Sequence, residues 1–277
     1  GEEELAVAPK IGVVQKYGFI TRNIDLAACA ARNVVVSTQR RRINVALSEL
    51  AFALMAAMGK HLFELNHVID EKRLNEAGYK IRPYDKRYTG GSNFARIPKL
   101  RTMFDKTLGV IGFGEVGREI ARKAQAFEMK VIYTQRTRLS ETEENFYNAR
   151  YVPLMELMAQ SDYMTVNLPV TDQTTGILGA KELRAAKEGS FLVNVSRPEL
   201  IDRAALFEAI DSGRLAGYGT DVWYERPARS DDPVFNYKNI IVMPHTAIAD
   251  RHHALNDIEE MFLKMSQALA QQDTLRM

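Results

Sequence analysis

The sequence predicts an open, doubly wound α/β fold, and three observations lead there. Apolar runs that read as strands alternate with helical patterns over most of the 277 residues. Several of those runs ("VVV", "GVIG", "NIIVM") are apolar on both faces, as strands of a parallel sheet covered on both sides must be. A glycine-rich turn stands between a strand and a helix near the middle of the chain.

In chain order, strands are expected over 11–15, 34–38, 108–112, 131–134, 163–168, 191–196, 216–222 and 240–244. Apolar residues at helical spacing predict helices over 44–58, 116–127, 154–160, 204–212 and 252–270. From 76 to 107 the rhythm breaks. That stretch has prolines, a Gly-Gly pair, many basic residues and no period, so it reads as an excursion that is functional, wrapped on a partner, or simply solvated. No internal repeat interrupts the series.

Composition narrows the function. A formal net charge of +2 gives no case for nucleic acid, whose binders cluster positive charge on one face. The one cysteine, Cys29, cannot form an internal disulfide, which fits a reducing, cytoplasmic setting. No apolar run approaches the ~18 residues of a membrane span. No signal-peptide pattern is present, but residue 1 is Gly rather than Met, so a trimmed start is expected.

The strongest signal is "TLGVIGFGEVGREIARKAQAFEMKVIYT". Gly112 permits a tight turn, Gly114 lets backbone approach a pyrophosphate, and Gly117 lets helix and strand pack closely. Glu115 and Val116 open the helix, whose unpaired N–H groups and partial positive charge suit phosphate. An acid about 20 positions further on normally holds the adenosine ribose of NAD. Here Thr134 and Gln135 take that place, followed by Arg136, Thr137 and Arg138. With no acid to repel it, a 2′-phosphate could be held by those guanidiniums and the Thr137 hydroxyl. NADP is therefore expected over NAD, which stays possible; the plainer alternative is two ordinary loop charges.

The ordered set "NIDLAACAARNVVVS", "LGVIGFGEVGREIA", "VNVSRPELID", "GYGTDVWYERP" and "VMPH" resembles the D-2-hydroxyacid dehydrogenases over nearly the whole chain. The resemblance implies a Rossmann cofactor domain at 45–245 and a smaller flavodoxin-like substrate domain from 1–44 plus 246–277. That smaller domain is expected to lack an N-terminal portion. The resemblance implies that Arg197 binds a carboxylate bidentately and that His245 moves a proton at the carbonyl oxygen. It implies that Asp221 holds the nicotinamide amide and that Asn167, Leu168, Pro169, Thr174, Val195 and Ser196 line the cofactor. It assigns Tyr17, Gly18, Phe19 and Ile20 to the loop whose amides grip the substrate carboxylate. The substrate would be a small anionic 2-oxo or 2-hydroxy acid, and the assembly a homodimer using the helix from 44 and the irregular stretch after it.

Four departures from the family pattern stand out. Where a glutamate normally pairs with the histidine, the chain has Arg226, a cation that favours neutral imidazole. Glu225, one residue earlier, could replace the acid, or His245 could work without one. Ile20 stands at the loop's second glycine, where a β-branched residue restricts the backbone. Arg40, Arg41 and Arg42 could add positive charge to the cleft, or form a solvated basic loop. Pro198 follows the catalytic arginine and removes an N–H. These departures keep two rivals open: a non-catalytic dinucleotide sensor of the corepressor kind, and a formate- or phosphite-type hydride abstractor. His61, His67, His252 and His253 are expected in helices without metal-ligand company, so no metal is expected.

Overall fold

The computed structural model describes residues 1–81, 93–248 and 252–275, and side chains over the same ranges except 252–253 and 271–275. The chain begins with helix α1 (Glu2–Val7), strand β1 (Val13–Tyr17), helix α2 (Leu26–Ala31) and strand β2 (Val35–Gln39). β1 and β2 pair in parallel, Val13 beside Val35 through Tyr17 beside Gln39. Both begin later than the apolar runs suggested, at Val13 and Val35, with the Val35 amide donating to the Gly12 carbonyl just ahead of β1. The long α3 (Ile43–Gly59) and the short α4 (Glu71–Glu76) follow.

Seven parallel strands then make the main sheet: β3 (Thr107–Ile111), β4 (Lys130–Thr134), β5 (Ala149–Tyr151), β6 (Tyr163–Val166), β7 (Ser190–Asn194), β8 (Leu215–Thr220) and β9 (Ile240–Val242). Their order is β5-β4-β3-β6-β7-β8-β9. The winding reverses between β3 and β6, and open sheets of this type bind ligands at such a switch point, outside the strands' carboxyl ends. Between strands come α5 (Glu115–Ala126), α6 (Glu141–Tyr147), α7 (Leu154–Gln160), α8 (Ala180–Arg184) and α9 (Arg203–Asp211), and the chain closes on α10 (His252–Leu275).

Two apolar layers sandwich the sheet. Strand alternation sends Val110 and Val193 to one face, where Met55, Phe113, Ile120 and Tyr133 pack. Ile111 and Leu192 go to the other, with Leu157, Met164, Leu206 and Tyr218. Burial on both faces is why these strands read as unbroken apolar runs.

The last helix returns to the small sheet. Asp257, fully buried on α10, accepts from the Tyr17 hydroxyl (3.1 Å), the Arg42 amide (2.9 Å) and the Arg42 guanidinium (2.6 Å), and its carbonyl accepts from Gln39 (2.8 Å). Removing one partner of a fully buried pair costs about 3–5 kcal/mol. The Arg42 side chain is 40% exposed and keeps Glu260, so Asp257→Ala is expected to cost less, about 2 kcal/mol. Urea unfolding would read this as a lower midpoint at unchanged slope.

Six of the described α-helices and strands fall outside the ranges expected from the apolar pattern: α1, α2, α4, α6, α8 and β5. β5 is a three-residue edge strand, too short to alternate. α6 is closed by a capping box in which the Ser140 hydroxyl accepts from the Glu143 amide and the Glu143 carboxylate accepts from the Ser140 amide. His61 and His67 are not helical; both sit in turns after α3 with φ of +53° and +61°, and His61 faces Glu64 at 3.3 Å. Residues 82–92 of the irregular stretch, and the side chains of His252 and His253, lie outside the described residues. Among those described, no helix is long and apolar enough to cross a membrane.

Candidate active site at the carboxyl edge of the sheet

The glycine turn lies at the switch point. Gly112 has φ +91°, and a Cβ there would come within 2.6 Å of the Asn167 carbonyl oxygen and 2.7 Å of Leu168. Gly114, the N-cap of α5, faces open space, so a phosphate can reach its backbone. A Cβ at Gly117 would collide with the Gly112 carbonyl oxygen and crowd Val110. The amides of Glu115 and Val116 lie in the first turn of α5, whose dipole favours an anion. Across the turn, both polar atoms of the Asn167 side chain are buried without a partner. An orphaned amide beside an open, donor-rich helix end fits a dinucleotide. Gly117→Ala tests the cradle. Alanine favours a helix by about 1 kcal/mol, but overpacking against backbone costs about 1–3 kcal/mol. The expected result is a lower thermal midpoint together with weakened dinucleotide binding.

Beyond β4, the arginines differ. Arg138 is forked onto Glu144 at 2.9 and 2.8 Å, and Glu144 also accepts from the Tyr133 hydroxyl at 2.7 Å. The Arg138 hydrogen bonds hold the Glu144 carboxyl below the usual carboxylate range; burial, and then Glu144, push the Tyr133 phenol up to about 12. Arg138 is thus engaged in a structural network. Arg136 is exposed and has no side-chain partner among the described residues. Gln135 donates to the Thr137 carbonyl at 2.6 Å, which shapes the loop between them.

On the other side of the switch point, Arg197, Asp221 and His245 follow the carboxyl ends of β7, β8 and β9. Asn194, fully buried, pins the first: its amide donates to the Arg197 carbonyl (2.8 Å) and its oxygen accepts from the Ser196 amide (3.0 Å). The Arg197 side chain is exposed, with one nitrogen donating to the Ser196 carbonyl at 2.7 Å. Val195 is buried beneath this turn. Pro198 opens a one-turn 3-10 helix (Pro198–Leu200), a position where proline is favoured and no N–H is needed. Pro169 and Thr174 form a neighbouring turn, the Thr174 hydroxyl donating to the Pro169 carbonyl at 2.7 Å.

His245 is exposed in the left-handed region, φ +58°. Such backbone in a non-glycine residue is uncommon and clusters at functional sites. What holds it is Asp221, 1% exposed, which accepts from the Thr246 amide (2.7 Å) and the Ala247 amide (2.9 Å). Asp221 therefore clamps the turn that presents the imidazole. Glu225 and Arg226 are both exposed, and neither makes a hydrogen bond or ion pair to His245 among the described residues; Glu225 lies in the field of Arg229.

The loop after β1 reaches the same region. The Phe19 and Ile20 amides donate to one Glu115 oxygen at 3.1 and 3.4 Å, so both still point at one acceptor despite the branched residue. The Tyr17 hydroxyl turns away to Asp257. The three consecutive arginines do not charge the cleft. Arg40 forks onto buried Glu119 of α5, Arg42 binds Asp257 and Glu260 of α10, and Arg41 lies over the Tyr17 ring at 4.7 Å. Carboxylates on α5 and α10 claim Arg40 and Arg42, so these two tie elements together, while Arg41 packs on the Tyr17 ring. Asn194 and Asn44 are site residues that sequence reasoning missed. A cavity of about 460 Å³ lies at the opposite, amino edge, lined by Met58, Arg101, Phe191 and Ile210 among others. None of the expected site residues borders it.

Comparison with known proteins gives a consistent result. Residues 55–247 match the family model described as the NAD-binding domain of D-isomer specific 2-hydroxyacid dehydrogenases. A glyoxylate reductase of Thermococcus litoralis is 32% identical over 265 residues, covering 95% of this chain and 75% of the relative. One from Korarchaeum cryptofilum is 29% identical over 261 residues, covering 94% and 73%. The crystal structure of a glyoxylate reductase from Paecilomyes thermophila superposes with a TM-score of 0.61 at 30% identity, covering 95% of this chain and 72% of that one.

Proposed function

Because the chain belongs to the D-isomer specific 2-hydroxyacid dehydrogenase family, and is thus an NAD(P)-dependent oxidoreductase acting on CH–OH groups, we propose that it prefers NADP and reduces a small 2-oxo acid of the glyoxylate class. The observation that carries this reading is the exposed pair Arg197 and His245 at the carboxyl ends of β7 and β9, on either side of β8, presented by Asn194 and Asp221 on the same sheet edge as the Gly112–Gly117 cradle.

Residues 112–117 hold the dinucleotide phosphates, with Asn167 supplying a free amide to the cofactor. Bound reduced nicotinamide supplies the hydride. Arg197 binds the substrate carboxylate and draws electron density from the adjacent carbonyl. His245 gives its proton to the carbonyl oxygen as the hydride arrives at C2, leaving a 2-hydroxy acid and neutral imidazole. No carboxylate is bonded to this exposed histidine, so it recovers a proton from solvent. Residues 1–44 and 246–277 act as the substrate lobe, whose approach excludes water and brings the Phe19–Ile20 amides to the carboxylate. Arg136, with its free guanidinium, holds the 2′-phosphate. The chain works as a homodimer: Phe63, Ile69, Phe94 and Phe104 expose 65%, 79%, 41% and 57% of their surface along the stretch after α3, apolar area that a second copy would cover.

The test is NADPH consumption with glyoxylate and larger 2-oxo acids, repeated with NADH. Turnover with NADPH favoured supports the reading; tight NADPH binding without turnover on any acid favours a dinucleotide sensor.

A further inference from the structure

The Phe19 and Ile20 amides are an anion seat, and one carboxylate of the chain already sits in it. Glu115 Oε1 accepts from both amides, while Oε2 accepts from Asn44 Nδ2 at 2.9 Å. Gly18, immediately before the seat, lies so close that a side chain there would collide with the same carboxylate. The Phe19 ring rests 5.8 Å from the Arg118 guanidinium, so the loop docks on the first turn of α5 through two residues. Asn44 is 2% exposed and belongs to α3, which fixes the carboxylate from behind.

We infer that Glu115 is an internal stand-in for the substrate carboxylate, occupying the seat until cofactor phosphates reach the same helix end. This inference rests on the function proposed above. Glu115 is the first residue of α5, so the helix dipole stabilises its negative charge where it stands. Phosphates on the neighbouring amides draw on that same dipole and add like charge beside the carboxylate. Their arrival weakens the hold of Glu115 on the loop and frees two N–H donors. A 2-oxo acid competes poorly for the seat before that moment and well after it. Binding is then ordered, cofactor before acid, and by linkage each ligand tightens the other. Glu115 is thereby a positioning residue, acting through the loop and not on the reacting atoms.

The test is calorimetric titration of the full chain with oxamate, a carboxylate that accepts no hydride, with and without saturating NADPH. A hydrogen bond to a charged group sets the scale of the competition, so Glu115→Ala should tighten oxamate binding to the cofactor-free protein roughly ten- to hundredfold. A side chain with a merely structural role would not produce a gain when removed. Asn44→Ala, which loosens the carboxylate without altering α5, should move affinity the same way by less, and it covers the case where the first variant folds poorly. Unchanged or weaker cofactor-free affinity in both variants overturns the inference. So does an absence of oxamate heat from the wild-type NADPH complex, because the seat then takes no carboxylate. Failure of the functional reading is separable: the wild type would give no heat with NADPH, or would bind NADPH and turn over no 2-oxo acid while the oxamate affinities still shift as stated.

Discussion

Replacing His245 with asparagine is expected to lower kcat for 2-oxo acid reduction by roughly 10²–10⁴-fold, the usual contribution of a general acid. NADPH affinity should be unchanged, because the phosphate cradle lies on other strands. Asparagine suits the experiment because it tolerates the left-handed backbone that His245 adopts and keeps a hydrogen-bonding side chain, but cannot carry the proton. Loss of activity therefore cannot be assigned to a collapsed turn. The Asp221 clamp on Thr246 and Ala247 should persist, since it is made by backbone amides. A variant that keeps most of its kcat would remove His245 from proton transfer and favour hydride chemistry without an acid. Because Arg226 is exposed and unbonded to His245, Arg226→Glu should leave in place the fall in reduction rate that occurs as pH rises and the general acid loses its proton.

The two arginines after β4 should separate cleanly. Arg136→Ala should weaken NADPH binding roughly ten- to hundredfold, the worth of one charge-assisted contact to phosphate, with NADH binding unaltered. Arg138→Ala should barely change cofactor discrimination but should lower stability, because it leaves Glu144 and Tyr133 without their cation. The sign of the pH dependence follows from Glu144. Its folded-state pKa is depressed, so the stabilisation from Arg138 is fully present above the unfolded carboxyl value and fades as pH falls through the folded one. The stability gap between wild type and Arg138→Ala should close in acid and stay constant through neutral pH. Equal loss of NADPH and NADH affinity in Arg136→Ala would place that guanidinium away from the 2′-phosphate.

Much of the frame is visible in residues alone, for a physical reason. Strands covered on both sides, such as Thr107–Ile111 and Ser190–Asn194, need continuous apolar side chains and so announce themselves. The cradle is legible because three glycines meet three separate steric demands at fixed spacing, two of them visible as collisions that a Cβ would cause. The short β5 and α6 are poorly legible: three residues cannot alternate, and seven residues make only about two helical turns, so the Ser140–Glu143 capping box is the main local signal of α6. Side-chain commitments were least legible. The arginines at 40–42 read as a basic patch because their acceptors, Glu119 and Asp257, are far away in sequence. Arg138 looked equivalent to Arg136 until Glu144 separated them. Glu115 reads in sequence as a helix-opening residue whose backbone suits phosphate, and nothing local signals that its carboxylate reaches across to Phe19.

One claim is central: NADPH, its phosphates on the first turn of α5, would give its hydride to a 2-oxo acid held by Arg197, with His245 supplying the proton. The most direct measurement is a single-turnover mixing of the full chain with stoichiometric NADPH and excess glyoxylate, following reduced-nicotinamide absorbance and assaying the acid product. Loss of the absorbance with one equivalent of 2-hydroxy acid formed is the predicted result. NADPH that stays bound and reduced with glyoxylate and with every larger 2-oxo acid, across the pH range where the chain is folded, would contradict it.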